Sequence, residues 1–196
     1  MSYILEYPNI FSSILCEDII DLFDEYTIQQ NTNVMNIPKN VPEWDKIERI
    51  IYKNILIKLN EYKISMLNKN DEIVNELSKQ LKLNHFTIQK YDLTNIPSNL
   101  CRINSRKNVI TFIIFLNKPK GGNIIFKKIN NTLNNDTLNI NNTLNINIKN
   151  DNLNEEYVVI PEIGKIIIFP DDINHIFKIN SYEDEYYIIS NQISYF

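Results

Sequence analysis

The stretch TFIIFLNKPKGGNIIF, Thr111 to Phe126, places two apolar runs on either side of a short polar connection. β-Branched and aromatic residues dominate both runs, and such residues favour strands. Gly121 and Gly122 allow a tight backbone turn between the runs. The stretch therefore predicts two strands, Val109 to Leu116 and Asn123 to Lys128.

Similar strand-forming runs continue on both sides of this stretch. The further predicted strands are His85 to Tyr91, Tyr157 to Ile160, Lys165 to Phe169, His175 to Ile179 and Tyr186 to Tyr195. Their number predicts that sheet structure dominates the C-terminal half of the chain.

Apolar residues upstream recur at helical spacing in three segments. The spacing predicts a first helix over about Leu15 to Gln29, with Glu17 and Asp18 in its first turn. A longer helix begins at Pro42 and carries one apolar stripe as far as Tyr62, which predicts that it lies across a sheet. A third is predicted over Asp71 to Leu81. Helices followed by strands indicate the α+β class.

Length, composition and charge exclude several classes of protein. The 196 residues, 43% of them hydrophobic, predict a single domain over 1–196, with a low-complexity Asn-rich excursion at about 129–156. A net charge of -4 without a basic stripe argues against nucleic acid as a partner. Cys16 and Cys101 form no disulfide or zinc pattern, and no apolar run suits a membrane span, so we expect a cytoplasmic protein.

Three phrases in a fixed order resemble the prolyl-hydroxylase branch of the 2-oxoglutarate and iron(II) dioxygenases. They are TFIIFLN followed by GGNIIF, then VIPEIGKIIIFP at Val159 to Pro170, then His175. That family reads T-x-x-x-Y-L-N, G-G-x-T-x-F, V-x-P-x-x-G-x-x-x-x-F and a metal-binding His, and Tyr91 matches a Tyr that opens its first core strand. The resemblance, over roughly Phe86 to Ile193, implies a double-stranded β-helix (jelly-roll) core buttressed by N-terminal helices.

The resemblance also implies where iron ligands belong. In the family, an H-x-D pair shortly before the first phrase joins the distal His to form a facial triad. Counting back puts Asn99, Leu100 and Cys101 on the H-x-D positions, and a shift of one residue puts Leu100, Cys101 and Arg102 there. Neither alignment supplies the triad, so His175 is interpreted as structural and no metal or cofactor is expected.

The family's second requirement is a cation near the start of the last strand, where it pairs with the distal carboxylate of 2-oxoglutarate. The corresponding positions hold Glu185 and Tyr186. A carboxylate repels that dianion, and a charge-assisted pair requires Arg or Lys. Both sites therefore depart from the family's pattern, and the prediction is a catalytically inactive protein of this fold.

An alternative set of ligands keeps enzyme activity open. Asp171 or Asp172 could supply a carboxylate beside His175, with His85 as the second imidazole. That arrangement predicts an active Fe(II)- and 2-oxoglutarate-dependent protein (prolyl) hydroxylase with rearranged ligands.

A closer likeness links the chain to the poxvirus proteins with a degenerate prolyl-hydroxylase-like N-terminal domain. The matching pieces are IERIIYKNILIKLN (Ile47 to Asn60), FTIQKYDLTN (Phe86 to Asn95) and FIIFLNKPKGGNIIF (Phe112 to Phe126). This likeness implies a viral effector in the host cytoplasm that binds a host oxygen-sensing prolyl hydroxylase and so stabilises hypoxia-inducible factor. A third hypothesis is a scaffold protein that uses the fold only as a rigid body.

Overall fold

The computed structural model describes residues 3–28, 30–67, 81–83, 85–91, 108–128, 156–170, 175–179 and 183–195. Two helices and ten strands lie within these ranges. In chain order they are β1 (Leu5–Tyr7), α1 (Ser13–Ile28), β2 (Val34–Asn36), α2 (Pro42–Leu67), β3 (Leu81–Leu83), β4 (Thr87–Tyr91), β5 (Asn108–Phe115), β6 (Ile124–Lys128), β7 (Glu156–Val159), β8 (Ile166–Pro170), β9 (His175–Ile179) and β10 (Tyr186–Tyr195).

The strands form two antiparallel sheets. The larger has seven strands in the order β1-β8-β5-β10-β4-β2, with β3 paired to the far end of β10. The smaller has the order β7-β6-β9. Because neighbouring residues of a strand point to opposite faces, the larger sheet presents one side chain set to the helices and the other to the smaller sheet. Helices packed on antiparallel sheets agree with the predicted mixed class.

The helices cover one face of the larger sheet. The predicted apolar stripe of α2 is buried; its members are Trp44, Ile47, Ile51, Ile55, Leu59 and Tyr62. The predicted stripe of α1 is buried or half-buried; its members are Leu15, Ile19, Ile20 and Phe23. These side chains share one core with the helix-facing residues of the larger sheet; the buried members from its strands are Met35, Ile88, Ile110, Phe112, Ile114, Ile166, Ile168, Tyr187, Ile189 and Ile193. The prediction that the long helix lies across a sheet is confirmed. Among the described helices, none combines the length and hydropathy needed to cross a bilayer.

The first helix begins earlier than its apolar pattern indicated. The Leu15 amide donates a hydrogen bond to the Ser12 hydroxyl over 3.2 Å, so Ser12 caps the N-terminus of α1. Glu17 and Asp18 therefore lie in the second turn, and the prediction that they occupy the first was wrong. The start of α2 at Pro42 is confirmed, since proline suits the first helical position.

The predicted strands are confirmed to within two residues at each end, but three short ones were missed. β1 and β2 form the two edges of the larger sheet, and each has only three residues, too few for alternation to be recognised. Leu81 opens β3, so the third helix cannot include it; residues 71–80 lie outside the described ranges. Glu156 belongs to β7 and not to the Asn-rich excursion, whose other residues also lie outside those ranges.

One glycine fixes the N-terminal segment to the larger sheet. Gly164 has φ of +74°, and its carbonyl accepts hydrogen bonds from the amides of Ile10 and Phe11 at 3.0 and 3.2 Å. Its own amide donates to Phe115 over 2.9 Å. A Cβ here would lie 1.9 Å from the Phe11 carbonyl oxygen, so only glycine fits.

Candidate functional site

The space between the two sheets is the candidate site, because Tyr91 and Tyr186, two positions that the resemblance singles out, lie there. The inner face of the larger sheet meets the smaller sheet in a second core, separate from the one under the helices. Its buried members are Ile4, Tyr91, Ile113, Phe115, Ile124, Phe126, Val159, Ile167, Phe169, Ile179, Tyr186 and Ile188. Apolar side chains from both sheets therefore fill much of this space.

Three aromatic rings pack together at one end of the inner face. Tyr186 pairs with Tyr91 across β10 and β4, and its ring centroid lies 6.1 Å from that of Tyr91. On its other side, the ring stacks on Phe115 at 6.2 Å with an interplanar angle of 14°. Tyr186 and Phe115 are fully buried. This aromatic stack, Tyr91–Tyr186–Phe115, occupies the place expected for the co-substrate anchor.

Glu185, the neighbouring candidate, points away from the inner face. Lys90 Nζ lies 2.8 Å from Glu185 Oε1 and 3.4 Å from Asp24 Oδ1. The Tyr187 hydroxyl lies 2.9 Å from Glu185 Oε2 and 2.8 Å from Asp24 Oδ2. Glu185 is thus part of an ion cluster on the helix side of the sheet, which we call the Lys90 cluster.

The electrostatics of the Lys90 cluster favour the ordinary protonated forms of Tyr187 and Lys90. Burial raises the pKa of the Tyr187 phenol, and the adjacent carboxylates of Asp24 and Glu185 raise it further. Burial alone would lower the pKa of Lys90, but its hydrogen bond to Glu185 and the charge of Asp24 outweigh that effect, and the pKa is raised. Neither group is poised to exchange a proton near neutral pH.

A buried lysine stands at the rim of the inner face. Lys165 precedes β8 by one residue and lies on the same side as Ile167, with only 6% of its side chain exposed. Its ammonium lies 2.7 Å from Glu162 Oε1, 3.0 Å from Glu6 Oε2 and 2.9 Å from the Ile160 carbonyl oxygen. All three donors of the ammonium have acceptors. Lys165 is therefore already neutralised and is not a vacant cation for a dicarboxylate.

A tyrosine extends this second ion cluster, which we call the Lys165 cluster. The Tyr157 hydroxyl donates a hydrogen bond to Glu6 Oε1 over 2.8 Å. Burial, together with the hydrogen bond to Glu6 and its charge, raises the pKa of Tyr157 to about 12. The hydrogen bond from Lys165 and its positive charge lower the pKa of Glu162. The cluster joins β1, β7 and the turn before β8.

The other end of the inner face is polar and uncharged. Thr111 lies opposite Gln192, and Ser190 lies opposite both Ile113 and Thr87. Thr111 is 1% exposed, and its hydroxyl has no hydrogen-bond partner among the described residues. Hydroxyl and amide groups can hydrogen-bond a ligand, but they do not titrate near neutral pH and do not replace the nitrogen and carboxylate ligands of an iron site.

The structure tests only some of the candidate ligands. Asn99, Leu100, Cys101 and Arg102 lie outside the described residues, as do Asp171 and Asp172. His175 opens β9, where its backbone pairs with Lys128. His85 is exposed just before β4. Within the ranges that the structure describes, no three His, Cys, Asp or Glu side chains are grouped to hold a metal ion.

Within the part of the inner face that the structure describes, the two expected anchor positions offer no cation to the co-substrate that the resemblance implies. A dicarboxylate requires a cation at its distal end, and the two expected positions contribute a phenol ring and a carboxylate held by Lys90. The sequence alone identified these two residues. It did not identify the Lys165 cluster, although a lysine immediately before the run IIIF signals a charge at the start of a buried strand.

Comparison with solved structures shows a prolyl-hydroxylase-like fold. A viral collagen prolyl hydroxylase from Paramecium Bursaria Chlorella virus-1, in complex with 2-oxoglutarate, matches with a TM-score of 0.55 and 15% identity over 99% of this chain and 96% of that one. A prolyl-4-hydroxylase from Pseudomonas putida matches with a TM-score of 0.56 and 9% identity over 100% of this chain and 94% of that one.

A third match is a prolyl hydroxylase from Trichoplax adhaerens in complex with a peptide fragment of the hypoxia-inducible factor oxygen degradation domain. Its TM-score is 0.60, with 10% identity over 99% of this chain and 84% of that one. No protein-family model matches the chain, and no curated protein matches its sequence. At these identities, the likeness concerns the fold.

Proposed function

We propose that this chain is a catalytically inactive protein of the prolyl-hydroxylase-like fold that acts by binding another protein. Its two sheets then correspond to the two sides of a double-stranded β-helix. The proposed partner is an oxygen-sensing prolyl hydroxylase of a host cell, and the proposed consequence is inhibition of that enzyme and stabilisation of hypoxia-inducible factor. Action in the host cytoplasm, as a viral effector, belongs to the same proposal.

The aromatic stack is the observation that carries the proposed inactivity. Tyr186 fills the inner face with a neutral ring against Tyr91 and Phe115. Glu185 is engaged by Lys90 on the opposite face. A protein that retains the scaffold while packing this position as core has no described anchor for the dicarboxylate, which favours a role in binding over one in oxidation.

The proposed partner rests on the likeness of three segments to poxvirus proteins with a degenerate prolyl-hydroxylase-like domain. The segments are Ile47 to Asn60, Phe86 to Asn95 and Phe112 to Phe126. The Trichoplax adhaerens neighbour adds a parallel, since that prolyl hydroxylase was captured with a hypoxia-inducible factor peptide. A chain with the same fold could pair with such an enzyme or compete for its peptide. Inhibition is expected in either case.

The test combines binding with enzyme inhibition. The purified chain is titrated into an oxygen-sensing prolyl hydroxylase, and hydroxylation of a hypoxia-inducible factor peptide is followed by mass spectrometry. We expect saturable inhibition that persists at excess Fe(II) and 2-oxoglutarate, together with complex formation by light scattering. Inhibition relieved by excess Fe(II) would indicate metal sequestration, and no inhibition with no complex would reject the partner.

The second candidate function is an active Fe(II)- and 2-oxoglutarate-dependent hydroxylase. It is favoured by His175, which the resemblance aligns with the family's distal metal-binding His and which opens β9 beside β6. Anaerobic calorimetry of the metal-stripped chain with Fe(II), with and without 2-oxoglutarate, separates the two candidates. We expect no co-substrate-dependent binding. Binding that 2-oxoglutarate strengthens and His175→Ala abolishes would establish the enzyme.

A further inference from the structure

A cleft between the two helices lies far from the space between the sheets. It has a volume of about 390 Å³ and lies where the first three turns of α1 face the start of α2. Its floor is apolar and consists of Leu15 and Leu22 from α1 and Ile47 and Ile50 from α2. Ile47 is buried, and the other three remain half-exposed although they pack on the core beneath.

The rim of this cleft is acidic. Asp18, Asp21 and Glu25 follow one another along α1, and Glu43 faces them from the first turn of α2. All four side chains are exposed, and none forms an ion pair with another described residue. Lys46 is the basic residue among the lining side chains. Four carboxylates against one ammonium leave the rim with a formal charge of -3.

The acidity is concentrated on one element. α1 contains five carboxylates and no lysine or arginine, whereas the whole chain has a net charge of only -4. Of those five, Asp24 is engaged by Lys90 and lies away from the cleft. Carboxylates on one helix repel each other, so a positively charged partner relieves that repulsion as well as forming new pairs.

Two exposed isoleucines extend the apolar surface beyond the cleft. Ile14 is 69% exposed and Ile28 is 79% exposed. They are fourteen residues apart, close to four helical turns, and so lie on nearly the same side of α1 as Asp21. The face of α1 is therefore apolar at both ends and acidic in its middle, over a length of about 21 Å.

We propose that this cleft binds a lysine- or arginine-rich amphipathic helix of a partner protein. Leu15 and Leu22 are seven residues apart on α1, and Ile47 and Ile50 are three residues apart on α2, which are spacings typical of helix packing faces. A third helix can therefore place apolar side chains at i, i+3 or i+4 and i+7 between α1 and α2. Basic residues flanking that stripe meet Asp18, Asp21, Glu25 and Glu43. The inference does not depend on the proposed function.

Other surfaces support a docking proposal less well. The outer side of α2 exposes Tyr52, Leu56, Ile57 and Ile64, but no described charge pattern or cleft there selects an occupant. The cleft between α1 and α2 has both an apolar floor and a charged rim. These two features together specify the chemistry of the partner.

The test uses the full chain and a synthetic helix of about 18 residues, made of leucine at helical spacing and lysine elsewhere. A matched peptide has glutamate in place of every lysine. Fluorescence anisotropy measures the Kd of each, and amide chemical shifts locate the contact. We expect the lysine peptide to bind more tightly than the glutamate peptide by at least tenfold, to weaken with salt, and to shift residues of α1 and of the first turns of α2.

A triple variant, Asp18→Asn with Asp21→Asn and Glu43→Gln, is expected to weaken binding of the lysine peptide about tenfold, because exposed pairs each contribute little. The control is Glu61→Gln with Glu183→Gln and Asp184→Asn, which removes three exposed carboxylates elsewhere. It is expected to change the Kd less than twofold. All three substituted residues are exposed, so folding is retained in the rim variant, as circular dichroism can verify.

Three results would overturn the inference. Equal weakening in the control variant would mean that the peptide responds to overall charge and not to the rim. Equal affinity for the glutamate peptide would mean non-specific apolar adhesion. Sedimentation that shows the chain pairing with itself through this face would assign the cleft to a second copy. Binding of a prolyl hydroxylase through another surface would leave the inference unaffected.

Discussion

Both faces of the larger sheet are buried, but different kinds of side chain cover them. The helix-facing side is covered by α1 and α2 and packs mostly aliphatic side chains from β5, β8 and β10. The inner side meets the smaller sheet with a greater share of aromatic rings, including the stack of Tyr91, Tyr186 and Phe115. Over its described part, the inner face is therefore packed as core at the end that holds the aromatic stack, and it carries the uncharged polar groups of Thr111, Ser190 and Gln192 at the other end.

The Lys165 cluster lies on the inner face and the Lys90 cluster on the helix side, and the two differ in how much of their side chains is exposed. Lys165, at the rim of the inner face, has 6% of its side chain exposed. Lys90, on the helix side, has 18% exposed, and its partner Glu185 has 55% exposed. The less water reaches a charge, the more free energy is lost when its ion-pair partner is removed. The inner cluster should therefore contribute more to stability than the outer one.

The largest expected effect compares two phenylalanines of β5. Phe112 faces the helices and Phe115 faces the smaller sheet, and both are fully buried. Phe112→Ala and Phe115→Ala should each lower the free energy of unfolding by about 3 to 5 kcal/mol, the usual cost of a large cavity. Chemical denaturation measures both. A loss below about 1 kcal/mol for Phe115→Ala alone would show that the inner face is a loosely packed pocket and not a core.

The next effect separates the two ion clusters. Lys165→Met should cost about 3 kcal/mol, because it leaves the Glu6 carboxylate and the Ile160 carbonyl without their ammonium in a poorly solvated place. Lys90→Met should cost about 1 kcal/mol, because water reaches the carboxylates around it. Urea unfolding of both variants under one buffer condition measures the difference. Equal costs would contradict the ranking of the clusters by depth.

At alkaline pH, the inner cluster should lose stability through Tyr157. Its pKa is about 12 in the folded chain, above the ordinary value of 10.0. A raised pKa in the folded state means that the stabilisation is complete below pH 10 and is lost as the pH rises from 10 towards 12. Burial also raises the pKa of Tyr7, Tyr62 and Tyr187, so several phenols titrate late. Absorbance titration at the phenolate band should show that Tyr157→Phe removes one of these late-titrating groups. Ionisation of that group near pH 10 would contradict burial at this rim.

The smallest effect appears at acidic pH. The pKa of Glu162 is lowered from its usual 4.5 by the ammonium of Lys165. A lowered pKa in the folded state adds stability above the unfolded value, and this stability is lost as the pH falls below about 4.5. Between pH 6 and 3, the free energy of unfolding should therefore change less with pH in Glu162→Gln than in the parent chain, as denaturant titrations at several pH values can measure. Unchanged pH dependence would show that Glu162 is not coupled to Lys165.

The accuracy of the sequence predictions followed the length of each pattern. The apolar stripe of α2 and the long β-branched and aromatic runs of β5 and β10 predicted those elements well, since many residues contribute to each pattern. The three-residue strands gave no periodic signal, and β1 and β2 form by pairing with β8 and β4, which are remote in sequence. Glu185 and Tyr186 lie at the start of β10, which is where the sequence predicted the last strand to begin.

The candidate sites that sequence reasoning missed are those built from distant parts of the chain. The bond between Lys165 and Glu6 spans 159 positions. The α1–α2 cleft requires two helices to pack side by side before its acidic residues share a rim. No local sequence pattern predicts contacts between such distant residues, although the sequence itself shows that α1 is acidic.

The sequence by itself determined which residues alternate along each strand, so that Glu185 and Tyr186 had to point to opposite faces. It also determined the apolar stripes that hold both helices on the sheet. Tertiary structure alone decided that the ring of Tyr186 lies between those of Tyr91 and Phe115, and that Glu185 meets Lys90. The physical reason is that periodicity fixes the direction of a side chain, whereas its neighbours depend on strand order and register.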